Sequence, residues 1–118
     1  LDGEACPYQL KLENWFTLPG VQTLVRELFP EGEGGHATAS EVSVTYYAYP
    51  DAQKQVEMSP KIAPTGPIRD AADYRRRFPD GRIGSDPSQA TPEKGAKLVA
   101  QAKRAMIADV KAFFEGQA

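Results

Sequence analysis

The sequence from residue 91 to residue 116 reads TPEKGAKLVAQAKRAMIADVKAFFEG and predicts one long helix. Thr91 is a favourable N-cap, Pro92 suits the first helical position and Gly116 ends the pattern. About 24 residues at 1.5 Å each span roughly 36 Å, and a helix of that length with one apolar face must lie across a sheet or another helix. The apolar stripe consists of Leu98, Val99, Ala102, Ala105, Met106, Val110, Phe113 and Phe114.

Four shorter segments upstream of this helix also carry local patterns. Apolar residues recur every three or four positions over residues 21–29, which predicts a helix that Pro30 ends. Residues 8–12 alternate apolar and polar side chains, as a half-buried strand does, and residues 54–58 read as a second short strand. Residues 70–78 predict about two helical turns capped by the first residue, an aspartate.

Residues 38–49 are open to two interpretations. Thr38 and Glu41 have the spacing of a capping box, which favours a helix, whereas residues 42–49 are rich in strand-forming residues that alternate. The preceding loop, residues 31–35, contains three glycines, so its backbone can turn sharply or approach another segment closely.

The composition is that of one ordinary globular domain. The chain has 118 residues, 41% of them hydrophobic and 25% charged, and its net charge of -2 argues against a nucleic-acid partner. No apolar run is long enough to cross a membrane. We expect no signal peptide, and the single cysteine, Cys6, fits a reducing, cytoplasmic location. A single histidine, His36, excludes a multi-His metal site within the chain.

Three side chains are candidates for chemistry, and each also has a structural interpretation. His36 is either a general acid or base or a loop residue bonded to the backbone. Trp15 either packs in the core or walls a pocket for a small polar ligand, and Glu41 either supports the histidine or only caps a helix. The basic run 75–77 is interpreted as a solvated surface.

The order of these residues resembles the creatininase (creatinine amidohydrolase) family. Residues 35–37 (GHA), 41–43 (EVS) and 49–51 (YPD) are similar to its histidine signature, and residues 81–95 (GRIGSDPSQATPEKG) are similar to its entry into the last helix. Asn14 and Trp15 match its strand-end tryptophan. The resemblance extends over nearly the whole chain and implies that the stretch after His36, residues 38–49, is a helix.

The resemblance further implies the fold and the domain organisation. The fold class expected is α/β: residues 1–118 would form a single unit, part of a three-layer α/β/α creatininase-like sandwich with a long C-terminal helix. This unit would be the C-terminal half of the domain, with the N-terminal metal-binding half absent. Relatives carry a carboxylate beside the histidine or three residues after it, where this chain has Gly35 and Ala39.

The activity implied is hydrolysis of the C–N bond in a small cyclic or linear amide, creatinine-like or formamide-like. His36 would be the acid or base, Trp15 and Gly35 would line the substrate pocket, and Glu41 would support the histidine loop. Two divalent ions, zinc or manganese, are expected in the complete enzyme, with ligands outside this chain, so the isolated chain should be inactive.

The partners implied are the amide substrate and other polypeptides, with no nucleic acid and no membrane. The family assembles as a hexamer, so a homo-oligomer or association with the missing N-terminal half is expected. The alternative is a non-catalytic, truncated relative that serves as an interaction or complementing module. In either case, uncovered apolar surface should drive association.

Overall fold

Four α-helices form the framework of residues 5–116. The computed structural model describes residues 5–116, and within them the helices are α1 (Val21–Leu28), α2 (Ala39–Ala48), α3 (Ala71–Arg77) and α4 (Pro92–Phe114). Short 3-10 turns at Trp15–Thr17, Pro50–Ala52 and Pro87–Gln89 lie in the connections. The long C-terminal helix and the two helices expected over residues 21–29 and 70–78 are therefore confirmed.

The core lies where α1 and α2 pack against the first half of α4. Val21 and Leu98 are completely buried, and Trp15, Leu24 and Val44 pack partly buried around them. The first half of the apolar stripe predicted on the long helix thus faces two other helices rather than a sheet, whereas Met106, Val110 and Phe114 in its second half are exposed. The buried core residues are Leu18, Val21, Val25, Phe29, Ala39, Leu98 and Ala102.

The closest approach between α2 and α4 depends on a glycine. A methyl group at Gly95 would lie 2.0 Å from the Ser43 carbonyl oxygen, which is far inside any allowed contact. The Ser43 hydroxyl donates to the Ala39 carbonyl at 2.7 Å and accepts the Thr91 N–H at 3.2 Å. Small side chains at this crossing therefore hold the start of α4 against the middle of α2.

The expected α/β three-layer sandwich is wrong. Residues 5–116 contain no strand, and their β-type pairing is limited to one isolated antiparallel bridge between His36 and Ile83. Neither residues 8–12 nor residues 54–58 join a ladder. A strand is stable only when another segment satisfies its backbone groups, and within the described residues no such segment lies beside these two.

The helix expected over residues 38–49 is confirmed, despite its strand-forming composition. Thr38 is the N-cap: its hydroxyl accepts the Glu41 N–H, and the Glu41 carboxylate accepts the Thr38 N–H, which completes a capping box. Within the part of the chain that the structure describes, no helix is both long and apolar enough to cross a bilayer.

Candidate functional site

The glycine-rich loop before α2 is pressed against the segment that leads into α4. Gly34 has a positive φ of 73°, and a methyl group there would lie 2.4 Å from the Ile83 carbonyl oxygen and 2.5 Å from the Ser85 nitrogen. A side chain would therefore force the two segments apart. The close backbone approach that the glycines predict is confirmed at this position.

Hydrogen bonds fix the backbone around His36. The Gly35 N–H donates to the Ile83 carbonyl at 2.8 Å, and the Ile83 N–H donates to the His36 carbonyl at 3.3 Å. The Ser85 hydroxyl, which is fully buried, donates to the same His36 carbonyl at 2.7 Å. The position of His36 is therefore set by contacts with residues almost fifty positions further along the chain.

A buried arginine supports the segment that holds His36. The Arg82 guanidinium donates to the carbonyl oxygens of Pro60, Lys61 and Ser85 at 2.8–3.1 Å. Its Nε donates to the Asp80 carboxylate at 2.7 Å, and this hydrogen bond lowers the pKa of Asp80. Arg82 thus ties residues 60–61 to the segment around Ser85 and braces the histidine loop from behind.

The residue after His36 has an uncommon backbone conformation. Ala37 has a φ of 54°, in the left-handed region that costs a non-glycine residue roughly 1–2 kcal/mol. Such conformations persist where surrounding contacts over-determine the backbone, and they are concentrated at functional sites. The turn at Ala37 carries the chain from the paired His36 directly to the N-cap of α2.

A cavity of about 320 Å³ opens between this loop, the N-terminus of α2 and the turn that precedes α1. This volume is at the lower end of the range for small-molecule pockets. Its lining includes two aromatic side chains and two carboxylates. The lining residues are Trp15, Phe16, Gln22, Glu33, Gly34, Gly35, Thr38, Ser40 and Glu41.

Each of the two carboxylates of the cavity is hydrogen-bonded through one of its oxygens. Oε2 of Glu41 accepts both the N–H and the hydroxyl of Thr38, each at 3.1 Å. Glu33 accepts the Ser40 N–H at 2.8 Å through Oε1. Among the described residues, neither Oε2 of Glu33 nor Oε1 of Glu41 has a hydrogen-bond partner, so each carboxylate keeps one oxygen available.

The structure brings together three of the four site residues predicted from the sequence. Trp15, Gly35 and Glu41 all line the cavity. His36 follows Gly35, but its side chain is exposed and is not among the lining residues. The capping role considered for Glu41 is present, and Trp15 packs partly buried against the core while it walls the cavity.

Sequence reasoning missed Glu33, Phe16 and Gln22 as lining residues. Glu33 looked like part of a flexible loop, and only the bond to Ser40 reveals that it is fixed at the start of α2. Gln22 is held by a hydrogen bond from its side-chain amide to the Phe16 carbonyl at 2.8 Å. The neighbouring glycines signalled a close approach, but no local pattern identified which side chains it would gather.

The residues of the site do not make up a complete metal centre. Among residues 5–116, no three His, Cys, Asp or Glu side chains lie close enough together to hold a metal ion. The two carboxylates of the cavity are already bonded to backbone N–H groups at the start of α2. A structural zinc site uses four protein ligands, which is more than this cavity provides.

Comparison with known proteins identifies the family to which the chain belongs. A family model described as Creatininase: Creatinine amidohydrolase matches residues 2–110, which is most of the chain. The search of curated proteins returned no match. The matched range includes the tryptophan, the histidine loop and most of α4.

Proposed function

Because the chain belongs to the creatininase family, we propose that it forms the C-terminal portion of an amidohydrolase that cleaves the C–N bond of a small amide. The substrate is a cyclic or linear amide, creatinine-like or formamide-like. The cavity beside the histidine loop is the observation that carries this proposal, since it gathers Trp15, Gly35 and Glu41 around a volume suited to a small molecule.

In this proposal His36 is the general acid and base of the reaction. Water adds to the amide carbonyl, the C–N bond breaks, and the imidazole takes a proton from the water and returns it to the departing nitrogen. A linear amide gives a carboxylic acid and an amine, whereas a cyclic amide opens to one molecule that carries both groups. The fixed backbone on both sides of His36 supports this role, because proton transfer requires a defined position for the ring.

The other site residues bind and orient the substrate. Trp15 provides a flat apolar wall, and the absence of a side chain at Gly35 leaves room for the amide beside the histidine loop. Glu41 supports this loop through the capping box, which fixes the start of α2 immediately after His36.

The creatininase family is generally metal-dependent, and we propose that the metal ligands of the complete enzyme lie outside this chain. One histidine and scattered carboxylates are too few for tight binding of zinc or manganese. Calorimetric titration of the isolated chain with Zn²⁺ should therefore give no tight, stoichiometric binding. A tight 1:1 complex would contradict this part of the proposal.

The role of His36 is tested by amide turnover in the assembly in which the chain is active, with zinc or manganese supplied. His36→Ala should lower turnover by about 100-fold or more, because general acid–base catalysis contributes that much. Arg75→Ala, on the exposed surface of α3, is the matched control and should leave turnover unchanged. Unchanged turnover in His36→Ala would assign the histidine a structural role.

A non-catalytic interaction module is the second candidate, and one observation favours it. Large apolar side chains are exposed at both ends of the chain, including Leu10, Leu12, Ile107 and Phe114. Surfaces of this kind mark protein–protein interfaces. If the assembled protein turns over no amide while the chain still associates, this candidate replaces the first.

The partner in either case is another polypeptide, either a second copy of the chain or a complementing half. Leu10 and Leu12 are 81% and 93% exposed, whereas the side chain of Lys11 between them bonds Asp109 of α4 at 2.6 Å. The alternation expected of a strand is thus present, but its apolar side faces outward. This outward face is the surface on which we propose that the partner packs.

A further inference from the structure

We propose that Ser85 is a positioning residue, which holds His36 in place for catalysis through the hydrogen bond from the Ser85 hydroxyl to the His36 carbonyl. This inference rests on the proposed function, because it concerns the histidine of the same site. It depends on the burial of Ser85, on the anchoring of its backbone and on the backbone conformation of Ala37.

The side chain of Ser85 is committed to His36. Ser85 is fully buried, at 0% exposure, and its hydroxyl donates to the His36 carbonyl at 2.7 Å. Among residues 5–116, this is the one hydrogen bond that the hydroxyl makes. A buried hydroxyl that left this carbonyl would lose its partner without gaining water, so the bond is costly to break in the folded chain.

The backbone of Ser85 is anchored independently of His36. Its carbonyl accepts the Ala63 N–H and a guanidinium N–H of Arg82, each at 3.1 Å. Arg82 is itself buried and donates to two further backbone carbonyls. The hydroxyl therefore projects from a fixed point of the backbone, and it transmits this fixed position to the carbonyl that it bonds.

The peptide that Ser85 holds lies between His36 and a residue in an unfavourable conformation. The His36 carbonyl belongs to the planar peptide unit that also contains the Ala37 nitrogen, so its direction is set by ψ of His36 and φ of Ala37 together. Ala37 has a φ of 54°, in the left-handed region that is unfavourable for alanine. The bond from Ser85 therefore acts on the peptide whose rotation would relieve this strain.

Two hydrogen bonds hold the His36 carbonyl, and the one from Ser85 is the shorter. The Ile83 N–H donates to the same oxygen at 3.3 Å, compared with 2.7 Å for the Ser85 hydroxyl. The cost of a left-handed alanine is comparable with the net contribution of one hydrogen bond. Removal of the hydroxyl is therefore enough to let the peptide between His36 and Ala37 rotate, while the bond from Ile83 keeps the carbonyl paired and the chain folded.

Rotation of this peptide moves the imidazole relative to the cavity. A coupled change of ψ at His36 and φ at Ala37 reorients the Cα–Cβ bond of the histidine with respect to α2, whose N-terminal residues line the cavity. A catalytic group displaced by about 1 Å loses on the order of 100-fold in rate. Substrate binding depends on the lining residues, which include neither His36 nor Ser85. The expected signature is therefore a lower kcat with little change in KM.

The test measures hydrolysis of creatinine and of formamide in the assembly in which the chain is active, with zinc or manganese supplied. Ser85→Ala should lower kcat by about tenfold or more and change KM by less than about twofold. Ser43→Ala is the matched control, because this serine is equally buried and its hydroxyl bonds Ala39 and Thr91 instead of the histidine loop. With both variants assayed well below their Tm, the control should keep kcat near that of the wild type.

A second measurement follows the histidine itself and needs no turnover. His36 is the one histidine of the 118-residue chain, so the NMR signals of its ring are assigned directly. Ser85→Ala should shift these ring signals, because the imidazole changes its surroundings. Ser43→Ala should leave them in place.

Ring signals unaffected by Ser85→Ala, or an equal loss of kcat in Ser85→Ala and Ser43→Ala, would overturn this inference. Lost turnover in His36→Ala together with a normal kcat in Ser85→Ala would refute the role of Ser85 alone. Unchanged turnover in His36→Ala, or hydrolysis of neither probe, would instead refute the proposed function, and the role of Ser85 would fall with it.

Discussion

Asp73 is a buried carboxylate whose interactions make the stability of the chain depend on pH. Arg77 donates to it from Nε at 2.8 Å, and this hydrogen bond lowers the pKa of Asp73; the N–H of Arg69, 3.0 Å away, acts in the same direction. The pKa of Asp73 is therefore lower in the folded state than in the unfolded state. At a pH above the pKa of an unfolded aspartate, about 3.9, the network stabilises the folded chain. This stabilisation is lost as the pH falls through the pKa of Asp73 in the folded chain.

Urea unfolding at pH 7 and at pH 3 should therefore give a smaller free energy of unfolding at pH 3. The difference should shrink in Asp73→Asn, because the variant carboxamide does not titrate. Asp51→Asn, at an exposed position, is the control and should retain the wild-type difference. The same pH dependence in Asp73→Asn and the wild type would show that acid sensitivity arises elsewhere.

Two adjacent glycines of the histidine loop should tolerate alanine very differently. Gly34→Ala should destabilise the chain by at least about 1 kcal/mol, because its φ is positive and the backbone of residues 83–85 occupies the space of a side chain. Gly35→Ala meets no atom within 4 Å and should change stability by less than about 0.5 kcal/mol. Equal changes in the urea midpoint of the two variants would contradict the close backbone packing of Gly34 against residues 83–85.

At the scale of elements, α2 and α4 cross with no room for a side chain at Gly95. Gly95→Ala places a methyl group against the Ser43 carbonyl and should cost roughly 1–3 kcal/mol, the usual range for overpacking. The fall in Tm should be roughly 4–8 °C for each kcal/mol. Lys103→Ala, exposed on the same helix, should leave Tm almost unchanged. An unchanged Tm in Gly95→Ala would mean that the helices can separate without cost.

The helix α2 illustrates how end signals and packing override strand propensity. Its residues Val42–Tyr49 favour a strand when considered alone. The capping box satisfies N–H groups at the first turn, and the buried Ser43 at the crossing with α4 gives the helix a tertiary contact. A strand over the same residues would lose both interactions.

The whole molecule leaves more surface exposed than a protein of its mass normally does. Its accessible area is 8424 Å², against about 6,300 Å² expected for a compact 12.9 kDa monomer. Its radius of gyration is 18.0 Å, compared with about 13.5 Å for a compact chain of this length. The excess is larger than the roughly 800 Å² that one partner contributes to a standard interface.

We therefore expect the chain to self-associate in solution unless a complementing polypeptide is present. Sedimentation velocity should give a mass above that of the monomer, and the double variant Leu10→Lys/Leu12→Lys should shift the distribution towards monomer. Gln53→Lys, in an exposed connection, is the control for added charge. A monomeric wild-type chain at micromolar concentration would refute this expectation.

Local sequence patterns were sufficient to identify three of the four α-helices in residues 5–116, and several helix ends. Thr38, Asp70 and Thr91 each cap the helix that follows them. In each case the side-chain oxygen accepts the backbone N–H three residues later, and this bond depends only on residues that are close in the sequence. Gly116 likewise follows α4 with a positive φ. The family resemblance added the helical state of residues 38–49, which the local pattern alone left open.

Contacts between segments that are distant in the sequence decided the pairing of strand-like residues and the lining of the cavity. The alternating residues 8–12 have a strand pattern but no paired segment, since pairing depends on residues remote in sequence. The placement of Glu33 in the cavity follows from its bond to Ser40 and from the pairing of the histidine loop with residues 83–85. The sequence by itself determined α1, α3 and α4 and the caps at Thr38, Asp70 and Thr91, because these depend on neighbours within a few turns. Only the tertiary structure decided which side chains line the cavity and which apolar face remains uncovered, because both depend on segments that meet through folding.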